Sequence, residues 1–234
     1  MTVGHSNPNY ELLAAMAKAL GDLRERFVFV GGCATALLIT DQAAAPVRAT
    51  HDVDVIVAIV TLREYQQLSK SLRELGFVQT VADGDPPFRW NYAGMQLDVM
   101  PVEKTVLGFS NPWYAAAMQG AIRMPLGDGL HIRLVTAAHF VATKLVAFED
   151  RGHGDYLESH DLEDVLSVVD GRPELVGELA GADKALREYV ASVFTRLIDD
   201  DGFLNVLPGL IVDGSPATRG PIVLERLRSI ARLN

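Results

Sequence analysis

Two periodicities divide the chain. Up to residue 135, short runs rich in valine, isoleucine and phenylalanine are separated by turns bearing glycine and proline; beyond it, apolar residues recur every three to four positions. Leu12, Leu13, Met16 and Leu20 predict a helix from Glu11 to Arg24. Phe27 to Val30 reads as a buried strand that ends at Gly31-Gly32, followed by a short helix from Cys33 to Ile39. Further strands are expected from Asp52 to Val60, Phe77 to Val81, Arg89 to Tyr92 and Met95 to Met100, with a helix from Leu62 to Leu75 stopped by Gly76 and a loop from Asp83 to Pro87. Ala121 to Pro125 and His131 to Val135 suit a hairpin around Gly127-Asp128-Gly129. Helices then follow from Thr136 to Asp150, Leu162 to Val169, Pro173 to Leu179 and Lys184 to Ile198. Val206 to Gly220, rich in glycine and proline, reads as a loop, and Pro221 opens a last helix to Leu233. The expected architecture is an α/β (α+β) domain over residues 1–135 and a helical C-terminal domain over 136–234.

The most informative segment runs from Arg48 to Val57. Side chains two apart on a strand share a face, so Asp52 and Asp54 project together, joined by Arg48 and Thr50 if the extended backbone reaches that far. Val53, Val55 and Val57 project the other way, into a core. Two aspartates on one face of an apolar strand are costly unless something neutralises them, and a divalent cation does so. Oxygen-only ligands suit Mg2+, with Mn2+ as the other cation, better than zinc. Asp98 stands in the middle of another apolar strand, Gln96-Leu97-Asp98-Val99-Met100. Three converging carboxylates can hold two metals roughly 3.5–4 Å apart, activating an attacking hydroxyl and stabilising a leaving pyrophosphate. Asp98 is then also placed to take the hydroxyl proton. A lone aspartate would read as a solvated strand end; a D-x-D pair plus a third, all flanked by aliphatics, reads as function.

Gly31 and Gly32 stand between a strand and a helix start. Glycine lets backbone approach a ligand, and the N–H groups of a helix start suit phosphate. Many strand–helix junctions carry such a pair for steric reasons alone, so its weight comes from the neighbouring aspartates. There is no G-x-x-x-x-G-K-[ST] and no G-x-G-x-x-G, which removes the P-loop and dinucleotide-binding readings.

Composition narrows the class. The 234 residues are 49% hydrophobic and 22% charged, enough for a sizeable core. No apolar run is long enough for a transmembrane helix, Met1 to Tyr10 lacks the form of a signal peptide, and the single cysteine suits a reducing, cytoplasmic setting. The net charge is -9 and neither half has a basic excess, unlike a protein that grips long nucleic acid through its phosphates. The acidity fits a carboxylate site that needs cations before it accepts a polyphosphate.

Together, the Gly31-Gly32 turn, Asp52-Val53-Asp54 and Asp98 resemble the nucleotidyltransferase superfamily. Within it, Gly31-Gly32-Cys33-Ala34-Thr35-Ala36-Leu37 and the Arg48-x-Thr50-x-Asp52-x-Asp54 strand look most like the abortive-infection toxins of the AbiEii/AbiGii type, as does a later series formed by Lys144, Arg151 and Asp161-Leu162-Glu163-Asp164. The resemblance spans roughly residues 25–170, with His160 where lysine is common and no serine after Gly31, so that the hydroxyl contact to phosphate is absent or moved to Thr35. It implies a minimal nucleotidyltransferase fold with a mixed sheet flanked by helices. It also implies transfer of a nucleoside monophosphate from a nucleoside triphosphate to an acceptor hydroxyl, an RNA or tRNA end in a toxin–antitoxin system with a cognate antitoxin. A small-molecule acceptor such as an antibiotic, or a non-catalytic nucleotide-binding module, are the alternatives. The expected catalytic set is Asp52, Asp54, Asp98, Lys144 and Asp161, with Asp52, Asp54 and Asp98 on metal. The expected nucleotide contacts are Gly31, Gly32, Thr35, Arg48, Thr50, Lys144 and Arg151.

Apart from the resemblance, Lys144 lies between Phe140 and Phe148 on an apolar stripe, as either a triphosphate partner or a lysine snorkelling from the core edge. Asp161 is also a candidate helix N-cap. Six scattered histidines and one cysteine give no zinc spacing. His51 reads as a packing residue, Cys33 as a small buried one, Trp90 and Tyr92 as ordinary strand aromatics, and Asp199-Asp200-Asp201 as a solvated helix end.

Overall fold

A computed structural model describes residues 7–79, 86–151, 155–211 and 216–233, and the backbone alone for 216–218. The chain forms two compact units: one from residues 1–36 and 48–136, the other from 37–47 and 137–234.

The first unit is built on a six-stranded mixed sheet in the order β3-β4-β2-β1-β6-β5. These strands are β1 (Phe27–Val30), β2 (Asp52–Val57), β3 (Arg89–Tyr92), β4 (Met95–Pro101), β5 (Ile122–Pro125) and β6 (His131–Leu134). All four residues of β1 are buried, because a strand at the sheet centre is covered on both faces. The chain reverses between β3 and β4 through Ala93 and Gly94, both at positive φ, the left-handed geometry that two-residue hairpin turns require. Helices α1 (Pro8–Leu20), α3 (Leu62–Glu74), α4 (Lys104–Leu107) and α5 (Tyr114–Gly120) flank the sheet. Helix α3 starts on a capping box in which Thr61 accepts from Glu64 N–H and Glu64 returns to Thr61 N–H. Its face of Tyr65, Leu68 and Leu72 is buried.

The second unit is helical: α6 (Ala137–Arg151), α7 (His160–Gly171), α8 (Leu175–Ala180), α9 (Lys184–Ile198), α10 (Asp201–Leu210) and α11 (Pro216–Ala231). The segment 37–47, irregular from Ile39 onward, belongs to it because Gly171 leaves room: a Cβ there would lie 2.6 Å from Ile39 Cδ1 and 3.2 Å from Ala44 Cβ. Gly171 C=O accepts from both Thr40 and Asp41 N–H, and Arg219 bridges Asp41 and Asp170.

The loop expected from Val206 to Gly220 is largely helix instead. Phe203, Leu207 and Leu210 fall three to four apart and are buried, and that apolar stripe outweighs Pro208 inside α10. Pro221 likewise lies inside α11, whose buried stripe is Val223, Leu227 and Ile230. Of the strand expected from Phe77 to Val81, the described part is one bridge, Val78 to Asn91; residues 80–85, with most of the expected loop, lie outside the described residues.

Candidate active site

The sheet register assembles the site. Asp54 is paired with Asp98 across the parallel β2–β4 ladder, and Asp52 with Gln96. Register partners on adjacent strands project to the same face, as do Asp52 and Asp54 along β2, so the three aspartates share one patch of one face. On the other side of β2, Asp54 pairs with Val30, the last residue before the glycine turn.

That turn is shaped around Asp54. Gly31 has φ +71°, a left-handed conformation that favours glycine. A Cβ on it would overlap Asp54 Oδ2 and lie 2.6 Å from Asp54 Cβ. The missing side chain is thus what lets the carboxylate lie against the start of α2 (Gly31–Leu38).

The patch holds a cation that the sequence reading missed. Arg89, opposite Asp98 on the antiparallel neighbour strand β3, donates through Nε to Asp98 Oδ1 at 2.8 Å and through a terminal nitrogen to Oδ2 at 2.7 Å. The same nitrogen is 3.7 Å from Asp52 Oδ2. The hydrogen bonds to Asp98, and then its negative charge, hold the guanidinium still more firmly protonated than usual. Side-chain exposure falls from 38% at Asp52 through 25% at Arg89 to 6% at Asp98, so the pair is anchored at its carboxylate end.

The donor set suits a hard divalent cation in type: oxygen only, with three carboxylates on one face. As they stand, the described residues include no group of three His, Cys, Asp or Glu side chains close enough to hold one. Asp98 is engaged on both oxygens by Arg89. Asp98 can therefore join Asp52 and Asp54 around a cation only if Arg89 moves aside.

Other expected contacts are placed as follows. Strand pairing begins at Asp52, so the alternation does not carry back to Arg48 and Thr50. Those two are held by Asn9, fully buried in α1: its Nδ2 donates to Arg48 C=O at 2.8 Å and its Oδ1 accepts from Thr50 N–H at 3.0 Å. Asn9 C=O accepts from Cys33 Sγ at 3.3 Å. The first helix starts at Pro8, three residues before the expected Glu11, and so takes in Asn9. Thr35 is wholly buried, and Oγ1 has no hydrogen-bond partner among the described residues. Cys33 is buried, and loss of solvent pushes its thiol up to about 12. His51 is exposed rather than packed, Trp90 is core, and Tyr92 stacks on Phe77 at 4.8 Å between ring centres.

In the helical unit, Lys144 Nζ lies 3.0 Å from Asp161 Oδ1 and 2.7 Å from Asp164 Oδ2, while Arg151 reaches Asp161 Oδ2 at 2.9 Å. Lys144 is 13% exposed and Asp164 5%, so this is a desolvated ion cluster and not a snorkelling lysine. The N-cap of α7 is Ser159, accepting from Leu162 N–H; Asp161 lies inside the helix.

Among solved structures, an antigenic nucleotidyltransferase-like protein from Paracoccidioides brasiliensis aligns over 86% of this chain and 93% of its own, with a TM-score of 0.51 and 22% identity. The fold is nucleotidyltransferase-like. A solution structure of the antibiotic-resistance factor ANT(2'')-Ia aligns over 83% of this chain and 96% of its own at 14% identity, with a TM-score of 0.48. No protein-family model and no curated protein matches the chain. No described helix is long and apolar enough to cross a membrane.

Proposed function

We propose that the chain is a metal-dependent nucleotidyltransferase that moves a nucleoside monophosphate from a nucleoside triphosphate to an acceptor hydroxyl. The observation that carries this reading is the register Val30–Asp54–Asp98, which stacks the glycine turn, the D-x-D strand and the third carboxylate side by side. Asp52 and Asp54 would hold Mg2+ or Mn2+. Such a cation, when bound, neutralises triphosphate oxygens and favours ionisation of an attacking hydroxyl. Backbone N–H groups at Gly31 and Gly32, at the start of α2, would meet the phosphate oxygens. Asp98 takes the proton of the attacking hydroxyl once its oxygens are released by Arg89. The acceptor oxygen forms a new bond to the α-phosphorus, the bond to the bridging oxygen breaks, and pyrophosphate leaves.

The acceptor we propose is an RNA end, tRNA first, with the toxin-type arrangement and a cognate antitoxin partner. This finer reading rests on the sequence resemblance, in which Lys144, Asp161 and Arg151 serve the triphosphate. The net charge of -9 favours a small hydroxyl-bearing acceptor instead. Incubation with Mg2+, each labelled triphosphate, and either total RNA or a panel of aminoglycosides and lincosamides separates the two. Label on RNA, abolished by Asp54→Asn, supports the first; label only on a small molecule redirects the acceptor; pyrophosphate release with neither, or activity surviving Asp54→Asn, rejects the transferase reading.

A further inference from the structure

Arg89 enters the proposed reaction only as the group that must release Asp98, yet it is the cation that the carboxylate face keeps. Its fork covers both oxygens of Asp98 at 2.7 and 2.8 Å and leans toward Asp52 at 3.7 Å. A bidentate arginine–carboxylate pair is among the stronger ion pairs, and this one lies where the third metal ligand would be needed. Its two ends differ. Asp98 is 6% exposed and stands on β4, paired on both sides, whereas the Arg89 side chain is 25% exposed and stands on the short edge strand β3. The arginine is the partner with solvent to turn into.

We propose that Arg89 is the resident counter-ion of the metal-free site and competes with the divalent cation for Asp98, so that metal–triphosphate binding and the freeing of Asp98 are one event. The inference rests on the metal reading above. Without nucleotide, a cation entering beside Asp98 meets the positive guanidinium, and its affinity is low. A triphosphate brings anionic oxygens that accept the displaced guanidinium, so cation and nucleotide bind with positive cooperativity. Arg89 acts as a positioning residue: it keeps the proton acceptor occupied until substrate is present.

The test is Mn2+ binding to the full chain, read from the free-ion electron paramagnetic resonance signal, for the wild type, Arg89→Gln, Arg89→Lys and Asp54→Asn. Removing a unit positive charge a few ångströms away should tighten Mn2+ binding in Arg89→Gln by about tenfold. Arg89→Lys keeps the charge but loses the fork, and should fall between. A saturating non-hydrolysable triphosphate should shrink the gap between wild type and Arg89→Gln. Equal or weaker Mn2+ binding in both Arg89 variants, with binding still lost in Asp54→Asn, overturns the role of Arg89 and leaves the metal site standing. Binding indifferent to Asp54→Asn, or absent from every form, overturns the metal reading and this inference with it. If Arg89→Gln does not fold by circular dichroism, Arg89→Lys alone decides, tighter binding supporting the competition and unchanged binding refuting it.

Discussion

Replacing Gly31 by alanine separates two physical costs that coincide at the glycine turn beside Asp54. The first is backbone strain. Gly31 sits at φ +71°, and a left-handed residue with a Cβ costs roughly 1–2 kcal/mol. The second is collision, because the new Cβ would overlap Asp54 Oδ2 and lie 2.6 Å from Asp54 Cβ. Forcing an extra methyl into a packed site costs roughly 1–3 kcal/mol, for a total of about 2–5 kcal/mol. Gly108, at φ +86° with open space around it, provides the strain alone, at roughly 1–2 kcal/mol. For a chain of this size 1 kcal/mol shifts Tm by roughly 2–4 °C. Differential scanning fluorimetry should therefore show a drop of about 4–20 °C for Gly31→Ala and about 2–8 °C for Gly108→Ala. In an Asp54→Gly background the collision partner is gone, so Gly31→Ala should cost no more than Gly108→Ala does. Strict additivity of Gly31→Ala and Asp54→Gly would refute the claim that the turn is built around this carboxylate.

Other consequences follow from the same structure. With Asp164 5% exposed and 2.7 Å from Lys144 Nζ, Lys144→Ala should lose about 3 kcal/mol or more, partly restored by Asp164→Asn, and an unchanged melting curve would refute this. Gly171→Ala pushes against Ile39 and Ala44 and should cost roughly 1–3 kcal/mol without altering Mn2+ affinity; a changed affinity would mean that segment 37–47 serves the metal site. Cys33, raised to about 12 by burial, should resist iodoacetamide at pH 8.5 until the chain is unfolded. Because its folded pKa lies above the unfolded value, its contribution is whole below about pH 8.5 and fades as pH rises toward 12. Cys33→Ala should therefore flatten the alkaline fall in Tm, and an identical fall would show that other groups cause it.

The sheet was largely legible because its strands carry strong local signals. Valines alternate with Asp52 and Asp54, Arg89 to Tyr92 is β3 to the residue, and Gly127-Asp128-Gly129 all adopt the positive φ their hairpin needs. Helix α9 was equally plain, since its apolar residues hold one period throughout. What escaped was non-local. Nothing in the spacing of Arg89 and Asp98 reports that the hairpin brings them face to face, so the counter-ion of the site went unnoticed. The Asn9 clamp on Arg48 and Thr50 spans about forty residues, beyond any periodic signal. Segment 37–47 joins the helical unit through contacts of Gly171 that only the folded chain displays. Proline misled at positions 208 and 221, where buried stripes sustain helices across it.

The central claim is that Asp52 and Asp54, beside the Gly31 turn, hold a divalent cation that carries a triphosphate. A crystal grown with Mn2+ and a non-hydrolysable nucleoside triphosphate tests it most directly through the anomalous signal of manganese. The expected result is an anomalous peak bonded to carboxylate oxygens of both Asp52 and Asp54, phosphate density over the Gly31-Gly32 backbone, and Arg89 turned away from Asp98. A manganese peak elsewhere, or a triphosphate bound away from that turn, would contradict it.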